Sequence, residues 1–215
     1  MMSSAAYGWL MSTYGSSSRP DPLTDIVLRQ TTGSPGPGRP IAGRPQSRTV
    51  AAGSRAAIVA GARAAVLANG SSITMSQIAA RAGVAKATLY NHFRAREEVL
   101  AELLLAEIDE LIATVAHLRL PDALNLAAVA VSEHPLLEAL GRQDSTALAV
   151  LARVDVGSAG WARIAQATER LLAAHGRRGT PTVLRWLSSF VIAPADAFDI
   201  AADVEVLLAG LPPVR

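Results

Sequence analysis

From Arg55 to the C-terminus the apolar residues recur at the 3.6-residue period, and no run alternates apolar and polar side chains between turn signals. A chain patterned this way has no half-buried strand to offer, so an all-α fold is expected. Gly and Pro cut the pattern into segments. Ile58, Ala62, Ala65 and Val66 share one face of a first helix that stops at Asn69-Gly70. Thr74 and Gln77 stand at capping-box spacing and open a short helix that ends at Gly83, a residue free to take the left-handed conformation. A second short helix runs from Lys86 to about Phe93. Arg96 to roughly His117 is the longest periodic segment, with Leu100, Leu104, Ile108, Leu111 and Val115 on one stripe. Further helices are expected over 122–132, 136–140, 145–154, 161–174, 181–192 and 196–208. The last two carry the stripes Val183, Leu187, Phe190, Val191 and Ile200, Val204, Leu207, Leu208, Leu211.

The formal net charge of +2 conceals an asymmetry. Residues 1–96 hold eleven basic side chains against two acids, for a net of +9, and residues 97–215 hold nine against sixteen, for a net of −7. One part is suited to a polyanion and the other is not. The absence of cysteine excludes a disulfide framework, a Cys-ligated zinc site, an iron–sulfur cluster and a thiol nucleophile. The mean hydropathy of +0.28 comes from alanine, and no stretch approaches the ~18–20 charge-free apolar residues of a membrane span. Met1 to Leu10 lacks the basic and apolar regions of a signal peptide, so a cytoplasmic location without membrane partners is expected.

Three parts are expected: a disordered basic arm over 1–54, a helix-turn-helix DNA-binding domain over 55–96, and a C-terminal helical effector-binding and dimerisation domain over 97–215. The arm repeats a Gly-Arg-Pro triplet at Gly38-Arg39-Pro40 and Gly43-Arg44-Pro45. This resembles part of the minor-groove AT-hook, although the Arg that precedes the Gly there is absent from both copies. It reads either as a solvated basic linker or as an arm that follows DNA phosphates or enters the minor groove.

The stretch that carries function is ITMSQIAARAGVAKATLYNHFRAREEVLAELL, from Ile73 to Leu104. Ile78, Ala79, Ala82, Val84 and Leu89 are placed to pack two short helices around a turn at Gly83. The exposed face of the second helix is Lys86, Ala87, Thr88, Tyr90, Asn91 and His92, small, polar and basic enough to enter a major groove about 12 Å wide. Thr74, Ile78, Ala79, Ala82, Gly83, Val84, Thr88, Leu89, Tyr90, His92 and Phe93 resemble the signature of the tetracycline-repressor (TetR) family of bacterial transcription regulators. The resemblance is specific over about residues 55–105. Two positions depart from it: Ala85 stands where the family usually has a capping Ser, and Arg96 where it usually has Lys.

That resemblance implies a three-helix N-terminal DNA-binding domain and a C-terminal helical ligand-binding and dimerisation domain. It implies that Lys86, Ala87 and Thr88 lie nearest base edges, with Asn91 beside them on the same face. Tyr90, His92, Arg96, Thr74, Ser76 and Arg55 would hold phosphates. It further implies a homodimer through the last two helices, a palindromic double-stranded DNA operator, and release by a small apolar or amphipathic ligand. Leu104, Ile108, Leu111, Val115, Leu148, Leu151, Trp161, Ile164 and Trp186 are the candidate pocket lining. No cofactor and no metal site is expected, since His117, His134 and His175 are widely dispersed. The competing reading is a ligand-independent dimeric or architectural DNA binder, which expects no sizeable cavity beside the long helix. An enzyme is not expected: there is no nucleophile–base spacing, Glu-x-x-His pair, phosphate loop or HExxH.

Overall fold

The computed structural model describes residues 45–142 and 145–214. Among them are ten α-helices and no strand, the one isolated bridge joining Arg177 to Pro213. The Gly-Arg-Pro repeats lie almost wholly outside the described residues, with Pro45 alone inside them. We number the helices α1 (Pro45–Asn69), α2 (Met75–Ala82), α3 (Lys86–His92), α4 (Arg96–Val115), α5 (Leu120–Ser132), α6 (Pro135–Gly141), α7 (Ser145–Ala152), α8 (Ala159–Ala174), α9 (Thr180–Ile192) and α10 (Ala197–Gly210).

Helix α1 differs from expectation. It begins at Pro45, ahead of the expected Arg55, so the last part of the segment assigned to a disordered arm is helical. Proline suits a first helical turn, and the alanine-rich stretch that follows has the propensity to extend the helix upstream. Helix α4 ends at Val115, one half-turn before the expected His117. The other starts fall within two residues of expectation, and local chemistry explains them. Ser158 caps α8 by accepting from Trp161 N–H, and Asp196 caps α10 by accepting from Phe198 and Asp199 N–H.

Two apolar clusters organise the helices. The first joins Ile58, Ala62, Ala65 and Val66 of α1 to Ile78, Leu89 and Phe93, and it continues into Val99, Leu100 and Leu103 of α4. Leu136, Leu140 and Ala147 of α6 and α7 close it, so residue 96 divides the chain's charge but not its packing. The second cluster holds Leu120, Leu124 and Ala128 of α5, Leu172 of α8, Val183 and Phe190 of α9, Ile200 and Val204 of α10, and Leu211. Helix α4 therefore runs from one cluster towards the other, with Arg163 of α8 paired to its Asp109.

Among the described residues, two ion pairs tie α1 to α4, Arg63 with Glu107 and Arg55 with Glu102. Arg55 donates to Glu102 at 2.9 Å, and its guanidinium lies 4.5 Å from the centroid of the Phe93 ring. The hydrogen bond from Arg55 holds the Glu102 carboxyl below its ordinary value, against the opposing effect of burial. A carboxylate depressed on folding stabilises the fold above its unfolded value, and that contribution fades as the pH falls through the folded one. Both partners are substantially solvated, so the contribution is that of a surface pair, within ~1 kcal/mol. Glu102→Gln is expected to lower the unfolding free energy by up to about that amount at pH 7, and the difference should vanish in acid, as measured by urea titration at both pH values.

Candidate DNA-binding module and effector cavity

The turn between α2 and α3 is built from local interactions. The Thr74 hydroxyl accepts from Gln77 N–H at 3.3 Å while the Gln77 side chain accepts from Thr74 N–H at 2.8 Å, completing the expected capping box. Gly83 ends α2 with φ +66°, a conformation that disfavours any side chain, and the N–H groups of Gly83 and Val84 close on the carbonyls of Ala80 and Ala79. Ala85 precedes helix α3 in an extended conformation and offers no side-chain cap. Leu89 faces inward and is fully buried, which leaves Lys86, Ala87, Tyr90 and Asn91 exposed and Thr88 and His92 half-buried on the outward side.

The candidate phosphate-contacting residues divide into two groups. Thr74 and Ser76 are exposed at the start of α2, and Tyr90 is 53% exposed on α3. Arg55 and Arg96 have intramolecular partners instead. Arg96 donates to the carbonyls of Ser71 and Ile73 at 3.1 and 3.3 Å and pairs with Glu97, which fastens the α1–α2 loop to the start of α4. Arg94, exposed in the turn between α3 and α4, is a basic residue on this side of the module that motif reading passed over.

Behind the module, α4 forms one wall of a cavity of about 610 Å³. Of the residues expected to line it, Leu104, Ile108, Leu111, Val115, Leu151, Trp161 and Ile164 do so. Leu148 and Trp186 do not. Leu148 packs against Gly141 and the first cluster, and Trp186 sits against Phe190 in the second, ring centroids 5.0 Å apart and edge to face. Periodicity marks both as inward-facing but does not say which interior they face. Leu105, Ile112, Leu137 and Leu171 add further aliphatic wall.

The polar lining brings together His117, His134 and His175, which lie far apart in the sequence, with Glu107. His175 donates from Nδ1 to the Leu171 carbonyl and accepts at Nε2 from Leu120 N–H, which fixes its tautomer and ties α5 to α8. Glu107 was passed over because a charged residue on a long helix reads as solvent-facing. Its side chain is only 15% exposed and meets Arg63 of α1 at 2.9 Å and His134 at 3.2 Å.

Two short helices held at a glycine turn, with a small, basic outward face, are the geometry of a helix-turn-helix and define a DNA-binding protein. Residues 58–103 match the family model for bacterial regulatory proteins of the tetR family, which supports a DNA-binding transcriptional regulator. A solved structure from Mesorhizobium loti MAFF303099, of a protein assigned to the TetR family of transcriptional regulators, is similar over 75% of this chain and 98% of its own, with 19% sequence identity and a TM-score of 0.49. No curated protein sequence matches the chain. None of the helices among the described residues is long and apolar enough to cross a membrane.

Proposed function

We propose that the protein is a dimeric, sequence-specific repressor released from a palindromic operator by a small, largely apolar ligand. The observation that carries this reading is the course of α4. Its first turns pack against α1–α3 through Val99, Leu100 and Leu103, and its later turns supply Leu104, Ile108, Leu111 and Val115 to the cavity. A ligand that prefers one position of α4 thereby changes the placement of the module, and linkage requires DNA to oppose that ligand. A cavity of about 610 Å³ is within the range of small-molecule sites, whereas a ligand-independent binder needs none. The test is a screen of small molecules against the protein–operator complex. A compound should release the wild type but bind less well to Leu111→Trp, whose larger indole narrows the cavity; release of both alike would contradict the reading.

Within the module, Lys86, Ala87 and Thr88 are assigned to base edges and Asn91, Tyr90 and His92 to the flanking groove and phosphates, with the α2 N-terminus at Thr74 and Ser76 on the backbone. Arg55 and Arg96, with their intramolecular partners, position the module and offer their remaining N–H groups to phosphate. Thr88→Ala is expected to relax the preference at one base pair by ~1–3 kcal/mol, with non-specific affinity unchanged, in competition binding across single-base operator variants. A uniform loss on all sequences would remove Thr88 from base reading.

The homodimer is assigned to α9 and α10. Phe198 is 83% and Val206 75% exposed on α10, and Ala202 and Ala209 are exposed on the same side, opposite the buried Ile200 and Val204. Ile192, at the end of α9, is 60% exposed. An apolar helix face of this kind fits a self-complementary two-fold contact.

A further inference from the structure

The cavity wall is aliphatic nearly throughout, and Glu107 is its one carboxylate among the described residues. The carboxylate is shared by three elements. Its Oε1 accepts from Nε of Arg63 on α1, and its Oε2 faces Nε2 of His134, the residue that precedes α6. A carboxylate offers about four lone-pair directions, so two remain. The imidazole is weakly held: its Nδ1 is buried and has no hydrogen-bond partner, and its Nε2 approaches Glu107 at 3.2 Å. Displacing His134 from Oε2 therefore gives up that single side-chain contact.

Resting on the reading of the cavity as the effector site, we propose that Glu107 is its recognition point, and that the effector is an apolar molecule bearing an amine whose ammonium takes Oε2 from His134. A charge-assisted N–H···O bond away from water is about twice as strong as a neutral one, so the exchange favours the ligand. An anionic headgroup would find no unpaired cation at this end of the cavity, where Arg63 is held by Glu107 at 2.9 Å. Arg170 and His117, which also line it, are exposed, and water screens their attraction for anions. The same carboxylate holds Arg63 on the helix that carries Ile58, Ala62 and Ala65 into the module core. Drawing Glu107 towards the ligand loosens the link between α1 and α4 where the two parts meet.

The test is calorimetric titration of the full chain at pH 7.5 with decylamine, decanol and decanoate below their micelle concentrations. The amine is expected to bind at least about tenfold more tightly than either of the others, the margin of one charge-assisted hydrogen bond. Glu107→Gln should erase that preference, and His134→Gln should keep or increase it. Equal affinities, or tightest binding of decanoate, would overturn the assignment of Glu107 while leaving the cavity a ligand site. Failure of all three to bind would overturn the cavity reading and this proposal with it. The wild-type comparison of headgroups decides the matter even if Glu107→Gln does not fold.

Discussion

Gly61→Val is expected to abolish DNA binding and to destabilise the fold by ~2–3 kcal/mol, because the crossing of α1 and α2 leaves no room for a side chain. A Cβ at Gly61 would lie 2.5 Å from the backbone nitrogen of Ala82 and 2.7 Å from its Cα. These are main-chain atoms of the last residue before the Gly83 turn, so no flexible side chain can yield and the helices must separate. The recognition helix hangs from that turn, and its outward face tilts when the crossing opens. Valine also lacks alanine's helix propensity, which would offset part of the strain by up to ~1 kcal/mol in Gly61→Ala. Gly53 on the same helix is the control: nothing lies within 4 Å of its Cβ position, and Gly53→Ala should stabilise by ~0.5–1 kcal/mol. Urea unfolding and operator binding check both variants, and a Gly61→Val protein with wild-type midpoint and affinity would contradict the packing of the module.

Phe198→Glu is expected to convert the dimer to a monomer and to weaken operator binding about a hundredfold or more. A carboxylate placed on the exposed face of α10 would be buried against its own two-fold mate, at the cost of taking a charge out of water. The affinity loss is larger than the direct effect because two linked reading heads bind with an effective concentration that a single head lacks. Sedimentation of both proteins at micromolar concentration, beside operator titrations, measures the two effects. A wild type that sediments as a monomer would remove the two-fold contact from the account, and an unchanged dimer in Phe198→Glu would move it elsewhere.

The parts of the fold that could be read beforehand are those set by short-range chemistry. Thr74 and Gln77 are three residues apart, and Gly83 follows at the end of the same short helix, so the capping box and the left-handed turn follow from spacing alone. Leu104, Ile108, Leu111 and Val115 share a stripe, and they do line one cavity wall. What was not legible depends on partners distant in sequence. Glu107 reads as a solvated helix residue until Arg63 and His134 are brought to it, and Arg96 reads as a free cation until the Ser71 and Ile73 carbonyls are placed beneath it. Trp186 and Leu148 show the same limit, since a period marks a face as buried without naming what covers it. Phe198 falls outside the apolar stripe of α10 because that stripe follows the intramolecular core, and the exposed face becomes visible only once Ile200 and Val204 are seen to be buried opposite it.

The central claim is that two copies of this helix-turn-helix, held by α9 and α10, read double-stranded DNA in a defined sequence. Selection of bound sequences from a random DNA pool by the full chain tests it most directly. The account predicts an enriched palindrome whose half-sites are centred about one helical turn or a small multiple apart. Recovery of unenriched DNA, or of a single half-site without its inverted mate, would contradict it.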